Sequence, residues 1–346
     1  MAEETKTKAR AVKKNNSSFS QWLTKRKTQK VLVMVAFMAI PLILLFTFTY
    51  LPFGEMISYS FYKMKYTGTP KFVGWDNYIN VFKRDDCFGA LKLSLYYMGG
   101  SLVQLTLALY LATILSFKVK GGDIFKGFMF FPFLINGIAI GFIFKFFYTR
   151  GFVFDTVLQW CGFDLDNLPY WLMDQSINNI SLVGTSVWRY FGQNMVLFIG
   201  AIMSVDAEMY EAAMLDGASK FQQFIYIILP NIKTIVVLNI ILSITGSLSA
   251  FEPPYVITSG ANGTGTYFVV MHEIAHTQQK VGLASAMAVI LLCIIFAATI
   301  LQKLFFKYVF KDAMDDEYTR AAEKRLRMER KLHKKESKRL KKEGAR

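Results

Sequence analysis

VGLASAMAVILLCIIFAATILQ, residues 281–302, runs for 22 residues without a charge. A helix rising 1.5 Å per residue crosses about 30 Å of hydrocarbon in about 20 residues, so this stretch predicts a membrane span. Outward from it, comparable charge-free runs occupy 31–54, 93–117, 127–144 and 234–251. A sixth segment, 179–205, is long enough as well but carries Arg189. The reading is an all-α membrane protein of six transmembrane helices. No internal repeat or low-complexity linker divides it, so 31–303 is one membrane domain between tails at 1–30 and 304–346. The polar stretch before the first run is long, and the run exceeds the roughly 7 to 15 apolar residues of a cleavable signal, so it is expected to remain as a span.

The net charge of +15 separates by position. Residues 1–30 carry nine Lys or Arg against Glu3 and Glu4, and residues 303–346 carry sixteen against eight acids, balances of +7 and +8 that account for the whole excess. The interior is neutral, which excludes a compact basic domain gripping nucleic acid. Six spans place both tails on one side, and the positive-inside rule makes that side cytoplasmic. Residues 55–92, 145–180 and 252–280 then lie outside, and 118–126 and 206–233 inside, with Lys118, Lys120 and Lys126 as minor support. Three cysteines are too few for a disulfide framework. Cys87 and Cys161 fall on one side of the membrane, so a bridge and two free thiols are both open. Pro41, Pro132 and the pair Pro253 and Pro254 are expected to break or bend helices. Gly137 and Gly141 form a small-xxx-small face that permits close helix contact.

The inner loop between the fourth and fifth spans reads EAAMLDGASKFQQFIYIILPN from Glu211. Asp206 is placed to cap a helix through Leu215, Gly217 to end it in a left-handed conformation, and a second helix to run from Ser219 to a stop at Pro230. Two short helices at an angle make a rigid knob; its alternative role is a solvent-exposed hairpin with no partner. Glu211 and Asp216 supply charges for pairing.

Glu211, Ala212 and Ala213, then Asp216 and Gly217, then Ile227, Leu229 and Pro230 stand at the spacing of the signature loop in permease subunits of binding-protein-dependent ATP-binding-cassette importers, which this chain resembles. The resemblance implies the type I importer permease fold and makes the 206–233 loop the coupling element seated on an ATPase. FVGWDNY at 72–78, the segment from Trp188 into the loop, ITSG at 257–260 with Thr264 and Thr266, and GLASA at 282–286 resemble sugar permeases of this family, those for di- and oligosaccharides or related polyols. It implies two ATP-binding subunits, a second permease subunit that in sugar importers of the family is usually a different chain, and an external sugar-binding protein, in a bacterial cytoplasmic membrane. The sequence holds no GxxxxGK[ST] loop and no Gly followed by Lys. No cofactor is therefore expected on this chain, and ATP with magnesium belongs to the partner. The chain reads as a transporter subunit without enzymatic activity of its own.

His272, Glu273 and His276 spell HExxH, which on a helix turns two imidazoles one way and suits zinc with the glutamate as general base. A membrane zinc metalloprotease is thus an alternative. The motif needs a third ligand: Cys293 lies within the last span, Asp312 and His333 lie across the membrane, and Glu252 or Asp174 would have to serve. A secondary transporter is the other alternative. Polar groups inside spans usually face a cavity or a neighbouring helix. Arg189, Tyr190, Gln193 and Asn194 in the fourth span, with Asn239, Ser243 and Ser247 in the fifth, are the candidate substrate path, against interhelical hydrogen bonding or, for Arg189, snorkelling to the interface. In the C-terminal tail, Leu326, Leu332 and Leu340 among dense Lys and Arg suggest a basic helix, solvated or against anionic lipid. Phe19, Trp22 and Leu23 are placed to lie in the interface before the first span.

Overall fold

The computed structural model describes residues 26–117, 119–309 and 328, so the expectations for Phe19, Trp22 and Leu23 and for the C-terminal tail lie outside the described residues. The chain opens with α1 (Arg26–Leu45), a π-turn at Phe46–Tyr50, and α2 (Leu51–Tyr59), stacked end to end as one rod. Pro41 sits inside α1 without breaking it. The π-turn instead precedes Pro52, which has no N–H to donate and whose ring would strike the carbonyl four residues back in a regular helix. Widening the ladder there, with the Leu51 N–H on the Phe46 carbonyl, absorbs that conflict.

A two-stranded antiparallel hairpin, β1 (Tyr62–Lys63) with β2 (Lys71–Phe72), is the only sheet among the described residues. The FVGWDNY segment closes it. Gly74 takes a positive φ of 56°. The Asn77 amide then donates to the Ser60 and Tyr62 carbonyls at 2.8 and 3.0 Å, and Phe61, Trp75 and Tyr78 pack ring against ring. Next come α3 (Asp76–Lys83) and α4 (Asp85–Ser116), the latter reaching well before the charge-free run.

The third span is corrected most. The sequence predicts one helix over 127–144; the structure has α5 (Gly122–Leu134) and α6 (Gly137–Tyr148), bent by 98°. Pro132 weakens the ladder just before the break, and the Asn136 side chain accepts from the Ile138 N–H at 2.9 Å, capping α6 as a new helix. Gly141 then meets Val256 so closely that a Cβ would overlap it, which is the close contact the small-residue face predicts.

After α7 (Val153–Trp160), the buried Asp155 carboxylate accepts from Trp171 Nε1 and the Gly151 N–H, both at 2.7 Å, and faces Arg150 at 3.9 Å. α8 (Asn178–Met203) follows, then α9 (Ala207–Leu215), α10 (Lys220–Gln223), a π-turn at Phe224–Ile228 and α11 (Leu229–Leu248). α12 (Glu252–Thr258), α13 (Tyr267–His272) and α14 (Val281–Val309) complete the chain.

Four rods are long and apolar enough to cross a bilayer, Val33–Tyr59, Asp85–Ser116, Lys220–Thr258 and Val281–Tyr308, and the bent α5–α6 pair supplies a fifth. α8 is long enough but is diluted by Asn178, Asn179, Ser181, Arg189, Gln193 and Asn194 and falls short on hydropathy. It is nonetheless the centre of the bundle, packed along α4 and against α5. Gly100 lies against Val183, and Gly192 lies on the Met129 and Phe130 backbone with no room for a Cβ. Below that contact Ala108, Ala112, Met195, Phe198 and Ile202 form one core cluster; at the opposite end Val81, Cys87, Tyr267, Ala286 and Met287 form another. Cys87 is buried against Met287 Sδ and Cys161 is exposed, so both are free thiols. Gly282, in the GLASA stretch, is pressed on the Tyr62 carbonyl, which joins the last span to the hairpin.

Candidate functional site

Six of the seven polar residues picked from the fourth and fifth spans line one cavity of about 460 Å³ between α4, α8 and α11: Tyr190, Gln193, Asn194, Asn239, Ser243 and Ser247. Helical spacing explains it. Positions 190, 193, 194 and 197 share a face of α8, and 239, 243, 246 and 247 share a face of α11. Two of these groups are already occupied: the Asn239 amide donates to the Ile235 carbonyl at 2.8 Å, and the Ser247 hydroxyl to the Ser243 carbonyl at 2.7 Å.

Arg189 is the exception. Its guanidinium turns from the lining to Glu252 at the start of α12 and makes an ion pair with that carboxylate, while also lying 5.1 Å from the Tyr190 ring centre. Gly137, at the first turn of α6, is packed on this pair and leaves no space for a side chain. Snorkelling of Arg189 to a lipid interface is therefore replaced by a contact that ties α8, α12 and the broken third span together. Glu252 lines the cavity, so the pair sits in its wall.

The third face comes from α4, which the sequence reading passed over. Tyr97, Ser101 and Gln104 line the cavity, and the buried Tyr97 hydroxyl has no hydrogen-bond partner. Their spacing of four and three residues in an otherwise apolar run carries the same signal that selected the fourth span.

The 206–233 loop folds as the sequence predicts up to its end. α9 stops at Leu215, Gly217 takes φ of 73°, and the Ala218 N–H reaches back to the Ala213 carbonyl at 2.9 Å. Ser219 starts α10 through a reciprocal capping box with Gln222, the Ser219 N–H on Gln222 Oε1 at 2.7 Å. Two details differ. Asp206 precedes α9 but its side chain makes no capping bond. Pro230 does not stop the second helix, because the π-turn at Phe224–Ile228 puts the Leu229 N–H on the Phe224 carbonyl and lets the helix pass the proline into α11.

Glu211, Ala212, Asp216, Gly217 and Pro230 are exposed, while Ala213, Ile227 and Leu229 are half-buried. α9 buries none of its residues. Its neighbourhood instead exposes apolar side chains that the motif does not name: Leu215 is 89% exposed and Phe221 73%, with Met214 beside them. The knob is fixed from behind by the buried Gln223, whose amide donates to the Ala218 carbonyl at 3.0 Å, and by Lys220 over the Phe117 ring.

The HExxH motif is bent out of regular helix. Glu273–Thr277 is a π-turn, and the His272 and His276 rings lie 4.4 Å apart. Tyr66 stacks on His276 and its hydroxyl meets His276 Nδ1 at 2.8 Å; Tyr255 packs edge-on to His272. Burial and the neighbouring His276 lower the pKa of His272. Among the described residues no group of three His, Cys, Asp or Glu comes together that could hold a metal. The third ligand that a zinc protease needs is thus missing from both Glu252, which pairs with Arg189, and Asp174, which accepts from Ser176.

Residues 104–311, from the cavity's α4 face through the loop to the end of the last span, match the family model described as binding-protein-dependent transport system inner membrane component. This chain belongs to that family. A probable ABC transporter permease protein, YurN of Bacillus subtilis, is 32% identical over 276 residues, 78% of this chain and 94% of the relative. The diacetylchitobiose uptake system permease protein NgcF of Streptomyces coelicolor is 30% identical, over 78% of this chain and 82% of its own. In shape the permease resembles a chain of a bacterial alginate ABC transporter crystallised with an alginate pentasaccharide-bound periplasmic protein. That match has a TM-score of 0.70 and 17% identity, and covers 83% of this chain and 98% of that one. The bundle described above is therefore the type I ABC permease fold.

Proposed function

We propose that this permease forms the translocation path for an oligosaccharide or related polyol, delivered by an external binding protein and driven by two ATPase subunits seated on the 206–233 loop. The carrying observation is one continuous element. The helical rod from Lys220 to Leu248 begins in the exposed knob and ends with Asn239, Ser243 and Ser247 in the cavity wall. Amides, hydroxyls and the Tyr190 ring are groups that bind sugar hydroxyls and pyranose faces. Relatives named for diacetylchitobiose and arabinooligosaccharides support the substrate class.

In this reading the six helical segments, with the bent third counted once, each cross the membrane, and both basic tails lie in the cytoplasm of a bacterial cell. Closure of the ATPases moves Leu215 and Phe221, and the bundle alternates between inward and outward openings. A second, different permease chain completes the pair. The test is to co-purify the complex and measure which sugars, with the binding protein present, stimulate its ATP hydrolysis. Stimulation by oligosaccharides that is lost in Gly217→Val and Glu211→Lys is the expected result. No associated ATPase, or uptake driven by a proton or sodium gradient without ATP, would overturn it.

A further inference from the structure

A second concavity, of about 780 Å³, adjoins the substrate cavity and shares two of its wall residues, Phe251 and Glu252. It is lined further by Tyr255, His272 and Glu273, with Lys145 at its edge. Through these residues runs a ribbon of rings. Phe251 and Tyr255 stack with centroids 4.8 Å apart and planes at 17°; Tyr255 meets His272 at 4.7 Å; His272 meets His276 at 4.4 Å; and His276 stacks on Tyr66 at 5.7 Å. Its far end is open: Tyr66, between the two hairpin strands, is 55% exposed, and Tyr255, Glu273 and His276 are exposed as well. Its near end, Phe251, is in the cavity wall.

From this continuity, and resting on the saccharide reading above, we propose that the ribbon Tyr66–His276–His272–Tyr255–Phe251 is an outer carbohydrate subsite, which holds the units of a sugar chain that follow the one in the inner cavity. The chemistry fits a pyranose. Aromatic and imidazole faces stack on its C–H surface, while Glu273, Lys145 and the ring nitrogens of His272 reach its hydroxyls. Charged and imidazole groups in the same groove as the rings are unsuited to lipid, which distinguishes this ribbon from an interfacial aromatic belt. It also gives the HExxH residues a use that needs no metal. Glu252, held by Arg189, lines both concavities.

A subsite for trailing units makes a length-dependent prediction. In the full importer reconstituted with its ATPase and binding protein, Tyr255→Ala and Tyr66→Ala should each raise the half-saturating concentration for a pentasaccharide about tenfold. Disaccharide uptake should be unchanged, and Tyr255→Trp should restore the pentasaccharide value. Equal loss at both lengths, no loss at either, or loss of the second permease chain from the purified complex would each overturn the subsite, the last by making the groove a subunit contact. If the unsubstituted importer takes up no saccharide of any length, the substrate reading itself fails, a result separate from all of these.

Discussion

Where α8 crosses α5, Gly192 lies against the Met129 carbonyl with no room for a single added carbon; on α9, nine residues long, no side chain is buried at all. The first region keeps its amides and hydroxyls inside and turns Leu102, Val103, Leu107 and Tyr110 of α4 outward, as a bundle surrounded by lipid must. The second shows Met214, Leu215 and Phe221 on a face beyond the bundle, where lipid does not explain them. The contrast separates two kinds of surface. A cavity lined by amides and hydroxyls suits a polar substrate, and an exposed apolar knob suits a protein.

Substitutions should sort along that division. Gly192→Leu forces the α5 backbone away and should cost about 3 kcal/mol, read as loss of monodisperse complex in detergent. If the complex assembles normally, the tight contact is not what holds the bundle. Leu215→Ser with Phe221→Ser leaves the bundle untouched and should weaken ATPase association by about 2 kcal/mol, roughly thirtyfold in a pull-down titration. An unchanged affinity would deny that the exposed apolar face is the docking surface. In the cavity, Asn194→Ala should raise the half-saturating sugar concentration about tenfold at constant thermal stability, the signature of a lost ligand contact. A drop in melting temperature without a change in affinity would return Asn194 to interhelical packing. Smallest, Ser219→Ala removes one half of the capping box and should lower stability by about 1 kcal/mol, measurable as fraying of α10 by hydrogen exchange.

Much of this was legible in the residues. Charge-free length marks spans because the bilayer charges heavily for exposed polarity, and polar residues at helical spacing within them mark a shared wall. The loop up to Ser219 was legible because its signals are local: a left-handed glycine and a capping box. What was missed depends on partners distant in sequence. Arg189 faces Glu252, 63 positions away, and the 98° angle between α5 and α6 is a tertiary outcome that Pro132 alone does not specify. Proline also misled at Pro230, where the ladder widens into a π-turn instead of ending. The α4 contribution was overlooked although Tyr97, Ser101 and Gln104 repeat at helical spacing in an apolar run, a signal weaker than that of α8 because the run carries no charge and fewer amides.

The helix that passes Pro230 has a mechanical corollary. Phe221 and Asn239 are eighteen residues apart on a rod with no loop between them, about 27 Å of axial distance. No loop interrupts it, so a tilt or twist imposed at the knob is carried along continuous helix toward the cavity. The widened turn at Phe224–Ile228 is the one departure from regular α-helix along its length among the described residues, and it lies at the knob end. Stiffening or loosening that turn would change how faithfully a movement of the knob reaches the cavity wall, while leaving the binding groups at either end as they were.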